Sequence, residues 1–198
     1  YATSLHALKD CGHLQPVETL VVLGAAGGVG IAAIEIGKAM GARVIAAASA
    51  DDKLALCRQV GADETINYST ENLKDRITEL TGGKGADVVY DPVGGPYTEP
   101  AVRALAWRGR LLIIGFAAGE IPRIPLNLAL LKERSLVGVY WGDSTKHDPG
   151  GHLANLKQLN DWFSTGKIKP VVSQRYPLTA AGDAIAAIAN RQVKGKVV

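Results

Sequence analysis

Cysteine is scarce in this chain. Cys11 and Cys57 are the only two in 198 residues, and they stand far apart. A disulfide framework or a thiolate zinc site needs more partners, so a reducing, cytoplasmic setting is expected. Cys57 reads as a small apolar residue packed in a helix. No apolar stretch reaches the roughly 18 residues that span a bilayer, and no signal peptide is visible. Neither sign of charge dominates: 22 Lys and Arg stand against 19 Asp and Glu, a net charge of +3. With no basic run carrying interleaved aromatics, nucleic acid is not an expected partner. His6, His13, His147 and His152 are read as lacking a metal-ligand neighbour at i+3 or i+4, no HExxH pattern occurs, and no metal is expected. Nor is there a G-x-S-x-G or other nucleophile turn. No catalytic side chain stands out, so any chemistry must come mainly from a bound cofactor.

What is present is a core and a pattern. Hydrophobic residues make up 47% of the chain, and the length suits one large domain or one domain plus a piece of another. The chain opens with Tyr1 and closes on a strand-like Val197-Val198, which reads as a piece of a longer protein. Up to about residue 142, short apolar runs alternate with helical patterns. Strands are expected at Thr19–Leu23, Arg43–Ala48, Glu64–Ile66, Asp87–Asp91, Arg110–Gly115 and Ser135–Tyr140. Helices are expected at Val29–Met40, Asp51–Val60, Leu73–Thr81, Tyr97–Ala106 and Leu126–Lys132. The strands are apolar throughout, as when helices cover both faces. The alternation predicts an α/β fold with a doubly wound, parallel, six-stranded sheet of the dinucleotide-binding kind. In the first long helix Val29, Ala33, Ile36 and Met40 share a face. Gly37 leaves room for close packing on the sheet, and Gly41 suits a left-handed cap. Ser49 is a candidate N-cap for the next helix.

Beyond residue 142 the alternation stops. Gly142–Gly151 reads as a polar loop. A helix Leu153–Ser164 follows, with Leu156, Leu159 and Phe163 on one side. Then come a strand-like Ile168–Tyr176 interrupted by Pro170, a helix Ala180–Ala189 and a short strand Lys196–Val198. The division expected is 1–142 for a coenzyme-binding domain and 143–198 for helices and strands belonging to an incomplete second domain.

The site begins where Leu20-Val21-Val22-Leu23 runs into Gly24-Ala25-Ala26-Gly27-Gly28-Val29-Gly30. A strand, a glycine-rich turn and a helix in succession place free backbone N–H groups and the positive end of a helix dipole at one point, which suits a diphosphate. The spacing is G-x-x-G-x-x-G rather than the usual G-x-G-x-x-G. Gly27 and Gly28 let the backbone approach a pyrophosphate, flanked by Ala26 and Val29, while Gly30 lets the helix sit close to the strand. The second strand ends Ala46-Ala47-Ala48-Ser49 without the acid that holds a ribose 2′-OH in NAD sites. Ser49 and Lys53 instead suit the 2′-phosphate of NADPH. Asp51 and Asp52 count against this unless they serve the helix dipole, and an ordinary solvated lysine is the alternative for Lys53. Tyr68, past the third strand, suits adenine stacking or a phosphate; a surface loop tyrosine is the alternative. Val93, Gly115, Phe116, Tyr140 and Trp141 end later strands, where the ligand crevice of an open α/β sheet lies. Gly115 leaves room for a flat ring, and Phe116, Tyr140 and Trp141 are candidates to wall a nicotinamide, with domain-boundary packing as the other reading of these aromatics.

Taken together, Gly24–Gly30, Gly41-Ala42-Arg43-Val44-Ile45-Ala46, Gly61-Ala62-Asp63 and Ile66-Asn67-Tyr68 resemble the zinc-independent branch of the medium-chain dehydrogenases/reductases. Thr81-Gly82-Gly83, Tyr90-Asp91-Pro92-Val93-Gly94-Gly95, Gly109-Arg110-Leu111, Ile114-Gly115-Phe116, Gly166-Lys167-Ile168-Lys169-Pro170 and Gly195-Lys196-Val197-Val198 are similar to its NADPH:quinone oxidoreductase group. The resemblance implies a two-domain enzyme whose N-terminal GroES-like catalytic domain is absent here, with the C-terminal segment returning to that domain. It implies NADPH held by Ser49, Lys53 and Tyr68, with Arg191 near the 2′-phosphate. Hydride would pass to a quinone or enone without zinc, and a homodimer would form through the edge strand Ser135–Tyr140. An enoyl-thioester reductase and a non-catalytic NADPH-binding protein are the alternatives.

Overall fold

The computed structural model describes residues 1–190 and 192–198. Its centre is one six-stranded sheet, ordered β3-β2-β1-β4-β5-β6, with every neighbouring pair parallel. The strands are β1 (Thr19–Val22), β2 (Arg43–Ala48), β3 (Glu64–Asn67), β4 (Ala86–Asp91), β5 (Leu105–Ile113) and β6 (Ser135–Gly138). A short helix α1 (Ala2–Leu5) continues as a π-helical segment, His6–Cys11, ahead of β1. Between the strands run α2 (Gly28–Ala39), α3 (Asp51–Gln59), α4 (Leu73–Leu80), α5 (Thr98–Arg103) and α6 (Asn127–Leu130). The order and the strand–helix alternation are those of the doubly wound dinucleotide-binding fold.

Strand alternation divides the core in two. Leu20, Val22, Val44, Ala46, Val88 and Tyr90 face one side and pack with Ile31, Ala33, Ile34 and Ile36 of α2. Val21, Leu23, Ile45, Ala47, Ile66, Val89 and Leu111 face the other, against Leu73 and Ile77 of α4 and Ala101 and Val102 of α5. Both faces of β1, β2 and β4 are covered, so these central strands have little polar side, and each fully buried Leu, Ile or Val contributes roughly 1.5–3 kcal/mol. Cys57 of α3 is buried with the first group, and burial pushes its thiol up to about 12.

Helix α2 is buried over most of its circumference, from Gly30 to Gly37, rather than on a single face; Val29 and Met40 are only partly covered. A methyl group on Gly37 would come within 2.7 Å of Leu20 Cδ2, so its absence sets how closely helix and sheet approach. Gly41, at φ +86, ends the helix with the expected left-handed residue.

Several expectations need correction. Ser49 is not a cap: Ala50 is the N-cap of α3 and no side chain bonds there. Helix α5 is shorter than Tyr97–Ala106, because Leu105 already pairs with Ala86 and starts β5 early. The segment Gly142–Gly151 is helical, forming α7 (Trp141–His147) and the start of α8 (Pro149–Ser164). Asp148 accepts a hydrogen bond from the Gly151 N–H at 2.9 Å, and Pro149 occupies the first turn, a strong start signal. On α8 the buried residues are Asn155 and Leu159, while Phe163 is 60% exposed. The polar Asn155 is inside because it bonds Asp10 and Lys9 near the chain start.

The later segments form a small unit beside the main sheet. The strand expected from Ile168 is limited to β7 (Val172–Gln174), because the Lys169 N–H is already committed to Glu35 Oε1 at 2.7 Å. After α9 (Ala181–Ala189), β8 (Lys196–Val197) pairs parallel with β7. Among the described residues no helix is long and apolar enough to cross a membrane.

Candidate functional site

The carboxyl ends of β1, β2 and β4 open onto a cleft of about 730 Å³. Its floor is the glycine turn. Gly24 turns the chain at φ +56, and a methyl group there would lie 2.8 Å from Val93 Cγ2. Gly27 is the N-cap of α2 and offers no side chain to the helix end. Gly28, Val29 and Gly30 begin the helix, so their N–H groups have no acceptor within it. No acidic residue sits in the first turn, which leaves the positive end of the dipole uncompensated. Gly30 carries the tightest packing: a Cβ would fall 2.5 Å from Gly24 O and 2.6 Å from Ala25 O.

The turn is braced from beneath and from the side. Ser4 Oγ donates to Val29 O at 3.1 Å and lies 3.0 Å from the Tyr90 hydroxyl. Burial pushes the Tyr90 phenol up to about 12, so it stays neutral. Asp91, ending β4, accepts from the Val93 and Gly94 N–H groups at 2.9 Å each and from Thr98 Oγ1 at 2.6 Å. That arrangement fixes Val93 at the edge of the cleft.

Ala26, Gly27, Gly28, Val29, Ser49, Lys53, Tyr68 and Val93 all line this space. Gly30 lies behind the wall, as a packing residue. Tyr68 stands against Tyr97, ring centroids 4.4 Å apart, and both rings border the cleft. Gly115, Phe116, Tyr140 and Trp141 follow β5 and β6 on the same side of the sheet but are not among the lining residues. Phe116 and Tyr140 are exposed, and Trp141 lies against His152 at 5.8 Å between centroids. Ala117 and Ala118 take the lining position instead. Arg191 lies outside the described residues.

The other wall was not foreseen. Ile188 and Ala189 of α9, then Val193, Gly195, Lys196 and Val197, line the cleft beside the turn. The Gly195 N–H donates to Ala26 O at 2.8 Å. Lys194 Nζ pairs with Asp52 Oδ2 at 2.6 Å, and this hydrogen bond holds the Asp52 carboxyl below the usual range. These contacts span more than 140 residues of sequence, so no local pattern announces them.

A mouth of unpaired N–H groups with lysines around it and small side chains between them fits an extended anionic ligand such as a dinucleotide. The comparisons agree. The chain is 40% identical over its whole length to "Quinone oxidoreductase-like protein 2 homolog" of Nematostella vectensis, of which it covers 54%. The crystal structure of Escherichia coli quinone oxidoreductase complexed with NADPH superposes with a TM-score of 0.88 at 28% identity, covering 100% of this chain and 62% of that one. The CurK enoyl reductase structure gives 0.87 at 25% identity, over 99% of this chain and 58% of that one. The chain thus spans little more than half the length of the proteins it matches.

The zinc-binding dehydrogenase family profile matches residues 28–157. Among the described residues no three His, Cys, Asp or Glu side chains converge on one point. Asp10 does stand at i+4 from His6, contrary to the spacing read above, but it is engaged with His6 Nδ1 at 2.9 Å and with the Asn155 amide. With the profile match covering well over half of its length, from the glycine turn to the middle of α8, the chain belongs to the zinc-binding dehydrogenase family of the medium-chain dehydrogenases/reductases.

Proposed function

We propose that the cleft binds NADPH and that the chain is the coenzyme-binding part of an oxidoreductase acting on a quinone or an activated enone. The observation that carries this reading is the convergence of the glycine turn, Ser49, Lys53 and Tyr68 on one cleft. The N–H groups of Gly28 and Val29 receive the diphosphate, and Gly30 sets the close packing of the turn behind them. Ser49 donates to the 2′-phosphate and Lys53 balances its charge. Tyr68 and Tyr97 flank the adenine. When bound, NADPH supplies a hydride from C4 of its nicotinamide. Glycine at 115 leaves room for that ring, and Phe116, Tyr140 and Trp141 border its approach.

In this reading residues 1–142 form the coenzyme-binding domain and 143–198 belong with a GroES-like catalytic domain. The edge position of β6 supports pairing with a second copy through Ser135–Tyr140. Calorimetric titration of the intact protein with NADPH and NADH tests the coenzyme reading. Tighter binding of NADPH is expected, and no binding of either would overturn it. The likeness to the CurK enoyl reductase favours a second acceptor class, an enoyl thioester. Turnover of quinones against crotonyl-type thioesters by the intact protein separates the two.

A further inference from the structure

The C-terminal wall of the cleft carries a charge that the fold itself does not explain. Gly195, at φ +69, is held on both sides: its N–H bonds Ala26 O, and a Cβ on it would lie 2.9 Å from Val171 O. The next N–H, of Lys196, bonds Val171 O at 3.0 Å. Lys196 is therefore delivered to one place, over the start of α2. A methyl group on Gly28 would come within 2.8 Å of Lys196 Nζ and 3.1 Å of both Cδ and Cε. An ammonium group at the positive end of a helix is unfavourable by itself. The first turn of α2 holds no acid, and among the described residues no carboxylate lies within ion-pair distance of Lys196. By contrast Lys194, two residues earlier, is paired with Asp52 in the first turn of α3.

We propose that residues 192–198 form a strap across the coenzyme cleft, in which Lys196 pairs with the coenzyme diphosphate and Lys194, by neutralising Asp52, clears the adenosine end for a 2′-phosphate. The proposal rests on the coenzyme reading above. It extends that reading to two lysines and assigns them different ligand groups. The diphosphate is common to NADPH and NADH, whereas the 2′-phosphate is not. Lys196 therefore governs affinity for both coenzymes, and Lys194 governs the choice between them. Asp52 left unpaired would repel a phosphate and favour a ribose hydroxyl.

Calorimetric titration of the intact protein with NADPH and NADH, in wild type and variants, tests this. Lys196→Met keeps the aliphatic stem and removes the charge; it should weaken both coenzymes roughly tenfold to a hundredfold, the scale of a lost charged hydrogen bond. Lys196→Arg should retain most of the affinity, which shows that a folding defect is not the cause. Lys194→Met should weaken NADPH more than NADH, and adding Asp52→Asn should restore the ratio. Binding of both coenzymes by Lys196→Met within twofold of wild type would overturn the role of Lys196. An unchanged NADPH/NADH ratio in Lys194→Met would overturn that of Lys194. Either result leaves the coenzyme reading standing, whereas a wild type that binds neither coenzyme overturns both.

Discussion

Replacing Gly28 or Gly30 with alanine makes the same chemical change two residues apart in the first turn of α2, and the structure assigns the two changes opposite consequences. At Gly30 the new methyl group meets backbone, 2.5 Å from Gly24 O and 2.6 Å from Ala25 O. Backbone in a tight turn cannot rotate away, so the turn must shift. Overpacking of this kind costs about 3 kcal/mol, and the better helix propensity of alanine returns about 1. A net loss of about 2 kcal/mol in a chain of this size lowers Tm by roughly 4–8 °C. At Gly28 the methyl group meets only the flexible end of the Lys196 side chain, which can move. Gly28→Ala should therefore leave Tm unchanged or slightly raised. It should still weaken both coenzymes, because the added carbon occupies the place of closest backbone approach and displaces the ammonium group. Thermal unfolding by circular dichroism, run beside a coenzyme titration, reads both quantities. Equal Tm losses in the two variants, or a Gly28→Ala protein with unaltered affinity, would refute the reasoning.

Other outcomes follow from single contacts. Lys53→Ala should weaken NADPH about tenfold, the low end for a charged contact at a partly exposed site, with little change in NADH; equal losses in a titration would remove its role. Asp91→Ala leaves the Val93 and Gly94 N–H groups and the Thr98 hydroxyl without their acceptor. It should cost about 3 kcal/mol and about 6–12 °C in Tm, with a smaller loss for Asp91→Asn, both read by thermal unfolding. Glu18 is partly desolvated, which raises its pKa, but the two-pronged bond to Arg110 and the Gln15 N–H outweigh burial and hold it below its ordinary value. A depressed folded-state pKa means that this contribution is complete above the unfolded value, about 4.3, and is lost as pH falls through the folded one. Glu18→Gln should therefore narrow the stability gap to wild type below pH 4 in an acid-unfolding series.

The strand–turn–helix unit was legible because its determinants are neighbours in sequence. The run from Thr19 to Val22, the glycines from 24 to 30 and the stop at Gly41 all fall within one continuous stretch of 23 residues. The segment Arg43–Ala48 is apolar throughout because helices cover both of its faces. The same local logic failed where partners are distant. The polar stretch from Gly142 looked like a loop because its glycines and charges outweighed the start signal of Asp148 and Pro149. Leu156 and Phe163 gave α8 an apolar face that the fold turns toward solvent, since Asn155 is held inside by Lys9 and Asp10. Half of the site was readable for the same reason. Ser49, Lys53 and Tyr68 follow strand ends, whereas Lys196 reaches the cleft, and Lys194 reaches Asp52, only through the β7–β8 pairing and the Gly195 bond to Ala26.

The central claim is that the start of α2 holds a coenzyme diphosphate. A crystal structure of the intact protein with NADPH tests it most directly. The account predicts phosphate oxygens within hydrogen-bond distance of the Gly28 and Val29 N–H groups and of Lys196 Nζ, with the 2′-phosphate at Ser49 and Lys53. Coenzyme density elsewhere on the molecule, with the turn still covered by the side chain of Lys196, would contradict it.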